Sequence, residues 1–192
     1  MLVVAGLNFA AFWVEAAVAL AIGSVALFAD SVDFLEDTSI NLLIAFALGW
    51  GLRHRAVAGR VMAGLMLLPA GAALWQAVSK WGAPEAPDVR WLVATAGGAA
   101  VVNGFCAWLL VRIRTSGGSL SRAAYLSARN DVLVNVAIIV MGLVTAVTRS
   151  GWPDLLLGLG IIALALHSAA EVWEAAGEER LAAKALAGEE IG

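Results

Sequence analysis

The sequence predicts an all-α membrane protein, a bundle of six transmembrane helices with both termini in the cytoplasm. Three observations predict it: an apolar composition, six apolar windows of membrane length, and an uneven distribution of basic residues between loops. Hydrophobic residues make up 61% of the 192 residues and charged residues 14%, against about 45–50% and 25% in ordinary globular chains. The mean hydropathy is +0.87. A soluble fold of this size needs more polar surface than this chain supplies. A net charge of −3 leaves no basic surface for nucleic acid. The single cysteine, Cys106, excludes an internal disulfide framework and reads as a small apolar filler.

A helical crossing takes about 20 mostly apolar residues. Windows of that size fall at 2–22, 25–50, 57–81, 89–112, 122–147 and 154–176. The first starts directly after Met1, without a basic leader or a cleavage site, and reads as a span rather than a removable signal. Short breaks rich in turn residues separate the windows: Gly23-Ser24, Gly51 to Arg55, Gly82 to Asp88, Arg114 to Ser119, and Arg149 to Asp154. Connections this short make successive helices antiparallel. The expected organisation is a six-helix transmembrane domain over 1–176. A short acidic cytoplasmic tail follows over 177–192, with no C-terminal cytoplasmic domain. The second and fourth connections carry Arg53, Arg55, Arg60, Arg112, Arg114 and Arg122, and the other three carry Lys80, Arg90 and Arg149. Basic loops stay inside, which places the even-numbered loops and both termini in the cytoplasm. Trp50, Trp81, Trp91 and Trp152 fall near span ends, as an aromatic belt requires.

The second window contradicts its own hydropathy. It carries Asp30, Asp33, Glu36 and Asp37, and one carboxylate at the bilayer centre costs at least about 2.5–3.5 kcal/mol. Asp33 and Asp37 lie about 40° apart on one helix face, Asp30 and Asn41 extend that stripe, and Glu36 sits on its flank. Like charges four residues apart repel unless protons or a cation intervene. The fifth window repeats the pattern with Ser127, Asp131 and Asn135 at i, i+4 and i+8. Arg129 points to another face, toward Asp30 or a lipid headgroup. If the second and fifth helices face each other, Asp33, Asp37, Ser127 and Asp131 form a four-ligand metal site, with Asp30, Asn130, Asn135 and Asn41 as accessory polar residues. Oxygen donors suit hard divalent cations, and Zn²⁺ and Co²⁺ also accept carboxylates. Each residue also has a structural reading: Asp30 as an interfacial or packing group, Asp131 as an interhelical hydrogen-bond partner, and Ser127 as a small contact residue. Glu15 and Asn103 line the same cavity or hydrogen-bond between helices. His167 with Glu171 reads as a packing histidine or a second cation site.

The segment Gly23-Ser-Val-Ala-Leu-Phe-Ala-Asp-Ser-Val-Asp-Phe-Leu-Glu-Asp37 resembles the second-span motif of the cation diffusion facilitators. There a small-residue run leads to an acid, then to a His or Asp followed four residues later by Asp. Arg122-Ala-Ala-Tyr-Leu-Ser-Ala-Arg-Asn-Asp131 resembles the fifth-span motif, His-x-x-x-Asp or Asp-x-x-x-Asp. The resemblance covers essentially the whole chain. It implies that Asp33, Asp37, Ser127 and Asp131 occupy the transport-site positions. It further implies export of a divalent metal ion from the cytoplasm in exchange for protons, usually by a homodimer, from an integral membrane position in a bacterial inner membrane. The metal is the substrate; no prosthetic group is implied, and the protein is not an enzyme. Ser127 stands where the family has His or Asp, and the reading expects neither the family's C-terminal domain nor its His-rich loop between spans four and five. Zn²⁺ is the nominal ion by resemblance, while three acids and a hydroxyl tolerate Co²⁺, Mn²⁺, Fe²⁺ or Cd²⁺. The alternative is a cation-binding sensor, scaffold or hetero-oligomer subunit that does not transport. An intramembrane acid–base enzyme is the third class, and no nucleophile–base pair or phosphate loop accompanies the aspartates.

Overall fold

The computed structural model describes residues 1–47, 50–114 and 118–187; the side chains of 112–127 and of scattered residues such as Arg55 and Glu179 lie outside the description. Six helices follow in order: α1 Leu2–Ile22, α2 Val25–Ala47, α3 Leu52–Lys80, α4 Val89–Arg114, α5 Gly118–Thr148 and α6 Trp152–Ala187. No strand occurs among the described residues. Five of the helices are long and apolar enough to cross a membrane. The sixth, α2, has the length, at 23 residues, and holds the four acids.

Three boundaries differ from expectation; one is α5, which starts at Gly118 rather than at 122, and the other two concern α3 and α6. The break expected over Gly51 to Arg55 is shorter, because α3 already starts at Leu52. Residues 177–187, expected as a tail, continue α6 to Ala187. Both extensions are rich in Ala, Leu, Arg, Lys and Glu, which favour helix in water as well as in lipid. Glu189 and Glu190 of the expected tail lie outside the described residues, as do 115–117 of the turn expected at 114–119.

The helices pack as a ring and an attached pair. Helix α1 contacts α2 and α4, and α5 contacts α4 and α2, which closes a four-helix ring. Helices α3 and α6 pair with each other and dock on α2, with α6 also touching α5. Helix α2 therefore meets α1, α3, α5 and α6. Small side chains make this possible: Ala19, Ala26, Ala29, Ala73, Ala77 and Ala96 all sit in the main core cluster, as expected where packing rather than water exclusion drives association. Gly158 of α6 lies against the backbone of Val25 and Ala26, so that a Cβ there would come within 2.8 Å of the Ala26 nitrogen.

The start of α2 is held by another helix. Gly23 takes a left-handed φ of 70° to end α1, which glycine accepts at little cost. The Asp154 carboxylate of α6 then accepts hydrogen bonds from the Ser24 hydroxyl (2.5 Å), the Val25 amide (2.7 Å) and the Ala26 amide (3.4 Å). These are donors that a helix N-terminus leaves unpaired. The Lys80 ammonium donates to the Gly23 carbonyl, so the ends of α1, α2, α3 and α6 meet at one polar knot.

Removing this cap in Asp154→Ala should lower unfolding stability in detergent by about 1–2 kcal/mol, with Asp154→Asn intermediate; denaturant titration measures it. Gly158→Ala should cost about 1–3 kcal/mol by forcing α6 off the α2 backbone. Gly160→Ala, which meets nothing within 4 Å, serves as the neutral comparison in the same titration.

Candidate functional site

Helix α2 faces α5, as the paired motifs require. Asp33 and Asp131 line one cavity of about 200 Å³, together with Glu36, Asn130, Val134, Leu164 and Ser168. Its walls come from α2, α5 and α6. Three carboxylates thus share a small space inside the helix bundle. Asp33, Glu36 and Asp131 are each half-buried.

Asp37 is not among the described walls of that cavity. It is buried, 3% exposed, and its Oδ2 accepts a hydrogen bond from the Asn8 side-chain amide of α1 at 3.2 Å. The Cys106 thiol in turn donates to Asn8 Oδ1 at 3.5 Å, so Cys106 is a buried core residue that also orients Asn8. Asp131 remains within electrostatic reach of Asp37, Asp30 and Glu36. Asn41, one turn below Asp37, is buried and donates to the Asp37 carbonyl at 2.8 Å. Ser127 belongs to α5, and its side chain lies outside the described ones. Among the described residues, no three His, Cys, Asp or Glu side chains gather at metal-holding distance.

Asp30 is buried at 1% exposure and faces Glu15 of α1 and Asn135 of α5. Its expected approach by Arg129 is not observed: Arg129 is exposed and donates to Asn130 Oδ1 at 3.3 Å. Asn135 donates to the Asp131 carbonyl at 2.9 Å. Glu15 and Asn103 are buried, and neither is a described wall of the Asp33–Asp131 cavity; Glu15 instead meets an apolar groove between α1 and α4. His167 and Glu171 pair at 3.3 Å on α6, both well exposed; neither is a described wall of the cavity, although Glu171 lies within electrostatic reach of Glu36.

Sequence reasoning set Glu36 aside on the flank of the stripe and did not single out Asn8 or Ser168. Glu36 lies about 60° from Asp33 around the helix, close enough to share its side. Asn8 was visible as a polar residue in an apolar span. Ser168 had no signal of its own, since a serine at a helix contact is common.

Membrane-length helices around a cavity that gathers three carboxylates from two facing helices describe an integral multi-pass membrane protein. The chain belongs to the cation efflux family: the family model, described as the cation efflux transmembrane domain, matches residues 1–178. This is a family of metal-cation transporters rather than enzymes, and divalent metal ions are its substrates. A search of curated proteins found no match to the sequence.

The cavity boundary is open to chemical labelling. Asn130→Cys and Ser168→Cys should react with a small water-soluble thiol reagent in the folded protein, whereas Asn135→Cys should react only after unfolding. The native Cys106 is fully buried and should give little background. Equal labelling rates at 130 and 135 would contradict this boundary.

Proposed function

We propose that the protein is a secondary active transporter that exports a divalent cation, nominally Zn²⁺, from the cytoplasm in exchange for protons. Asp33, Asp37 and Asp131 supply the charge of the site, and Ser127 contributes a neutral oxygen. All six helices cross the membrane, with both termini inside, and the working unit is a homodimer in a bacterial inner membrane. The observation that carries this reading is the shared cavity of Asp33 and Asp131 between α2 and α5, in a chain of the cation efflux family.

The physical chemistry is a competition. Metal ligation requires deprotonated carboxylates, so cations and protons contend for the same oxygens. Neighbouring acids titrate as a set, which lets one divalent ion replace more than one proton. Either occupant relieves the repulsion of an empty, ionised site. Occupancy then shifts the balance between inward-open and outward-open states, with helices rocking about a midplane site. With Ser127 neutral, three ionised acids and one M²⁺ leave a net charge of −1, which favours retention of one proton. Asn8, by holding Asp37, and Asn41, one turn further along α2, are positioning residues in this scheme.

Proteoliposomes with an imposed pH gradient test the reading against Zn²⁺, Co²⁺, Mn²⁺ and Cd²⁺. Metal uptake should follow the gradient for at least one ion and fall by at least about tenfold in Asp37→Ala and Asp131→Asn. Folded protein that moves none of the four ions would instead be a cation binder without transport.

A further inference from the structure

We propose that a basic pocket between α3 and α6 binds the phosphate headgroup of an anionic glycerophospholipid. The pocket encloses about 410 Å³ and is lined by Arg53, Ala56, Val57 and Arg60 of α3 with Arg180, Ala183 and Lys184 of α6. Among the described residues, four of the seven walls are cations and none is a carboxylate. Glu174 and Glu178 of the same helix are not among these walls, and none of the four cations forms an ion pair among the described residues. Four like charges around one cavity repel each other unless an anion occupies it.

Arg60 is the anchor. Its guanidinium lies over the Trp173 ring, 5.3 Å from the centroid, which fixes the group by a cation–π contact. Its Nε is buried and has no hydrogen-bond partner. A pinned guanidinium with an unused buried donor, beside three further cations, fits phosphate oxygens, which accept several charge-assisted hydrogen bonds at once.

Depth in the bilayer selects a lipid over a free anion. Trp81 and Trp152 meet edge to face, with centroids 5.6 Å apart, at the other end of the same helix pair. From Lys80 back to Arg60, and from Trp152 on to Trp173, each helix climbs about 30 Å at 1.5 Å per residue, the thickness of the hydrocarbon core. Arg60 and Trp173 therefore stand at the opposite boundary, and Arg53 and Arg180 lie about 10 Å beyond, in the headgroup layer. Ala56, Val57 and Ala183 give that layer an apolar wall suited to a glycerol backbone. Basic pockets between transmembrane helices at this depth recognise anionic headgroups. The inference stands apart from the transport reading, since it uses no residue of the α2–α5 cavity.

The test uses the purified full chain, delipidated in detergent, with native mass spectrometry titrations of phosphatidylglycerol and phosphatidylcholine and a parallel thermal-shift titration with inorganic phosphate. Phosphatidylglycerol should bind at least about tenfold more tightly than phosphatidylcholine. Arg60→Gln and Arg180→Gln should each weaken it on the order of fivefold, whereas Arg149→Gln, at the other end of the bundle, should not. Arg180 is exposed, so its variant reads the site even if Arg60→Gln fails to fold. Equal binding of the two lipids, or unchanged binding in Arg180→Gln, would overturn the proposal. Inorganic phosphate that stabilises the protein with no preference for phosphatidylglycerol would make this a free-anion site and overturn the lipid assignment.

Discussion

Everything in this fold answers to the presence of four carboxylates within eight residues of α2. No lipid-facing position tolerates such a segment, so α2 must be walled in on nearly every side. The ring and the attached pair accomplish this together, since α2 touches α1, α3, α5 and α6. Close approach follows from alanines on the neighbouring helices and from Gly158, whose missing side chain lets α6 reach the α2 backbone. The helix also satisfies its own hydroxyls: Ser31, Thr38 and Ser39 donate to the carbonyls of Phe28, Phe34 and Leu35. Its amino end is closed by Asp154 from α6 rather than by a residue of its own. The cap satisfies donors that the turn between two packed helices leaves unpaired.

Helical geometry explains how the four acids are shared out. Around the α2 axis, Asp37 and Asn41 lie within about 20° of Asp30, Asp33 about 60° to one side, and Glu36 about 60° further. The first three face the ring interior, where Asn8, Glu15 and Asn135 receive them. Glu36 faces the cavity toward α6 and Ser168. Asp33 sits on the border between the two directions and belongs to the cavity while staying near the interior acids. Asp33, Glu36 and Asp131 therefore line the cavity, and Asp37 lies outside its described walls.

That division marks the limit of what could be read from the chain. The stripe was legible, because residue spacing fixes angles around a helix axis. Which part of the stripe faces a cavity depends on where α1, α5 and α6 stand, and no spacing within α2 carries that. The same limit hid Asn8 and Ser168, whose roles come from partners on other helices, and Asp154, which looked like a turn residue and is a cap for a helix 130 positions away. Five of the helices were plain in hydropathy, and α2 was legible from its length between two turns despite its acids. Their ends were not, for a physical reason: the apolar window measures bilayer thickness, whereas α3 and α6 continue past it on residues with high helix propensity. The family match over 1–178 agrees with the resemblance carried by the two motifs.

The stitching between the ring and the α3–α6 pair is uneven along the membrane normal. At one end Asp154 binds Ser24, Val25 and Ala26, Lys80 binds the Gly23 carbonyl, and Gly158 packs on Val25. At the other end Arg60 and Trp173 meet within the pair. Between the two ends, Leu164 and Ser168 of α6 wall the cavity that Asp33 and Glu36 of α2 share with Asp131 of α5. Helix α6 thus meets α2 in two ways: Asp154 closes its amino end, and Leu164 and Ser168 complete the cavity. Asp154 and Ser168 stand about 21 Å apart along α6 at 1.5 Å per residue, so one helix that fixes where α2 begins also fixes the wall its acids face.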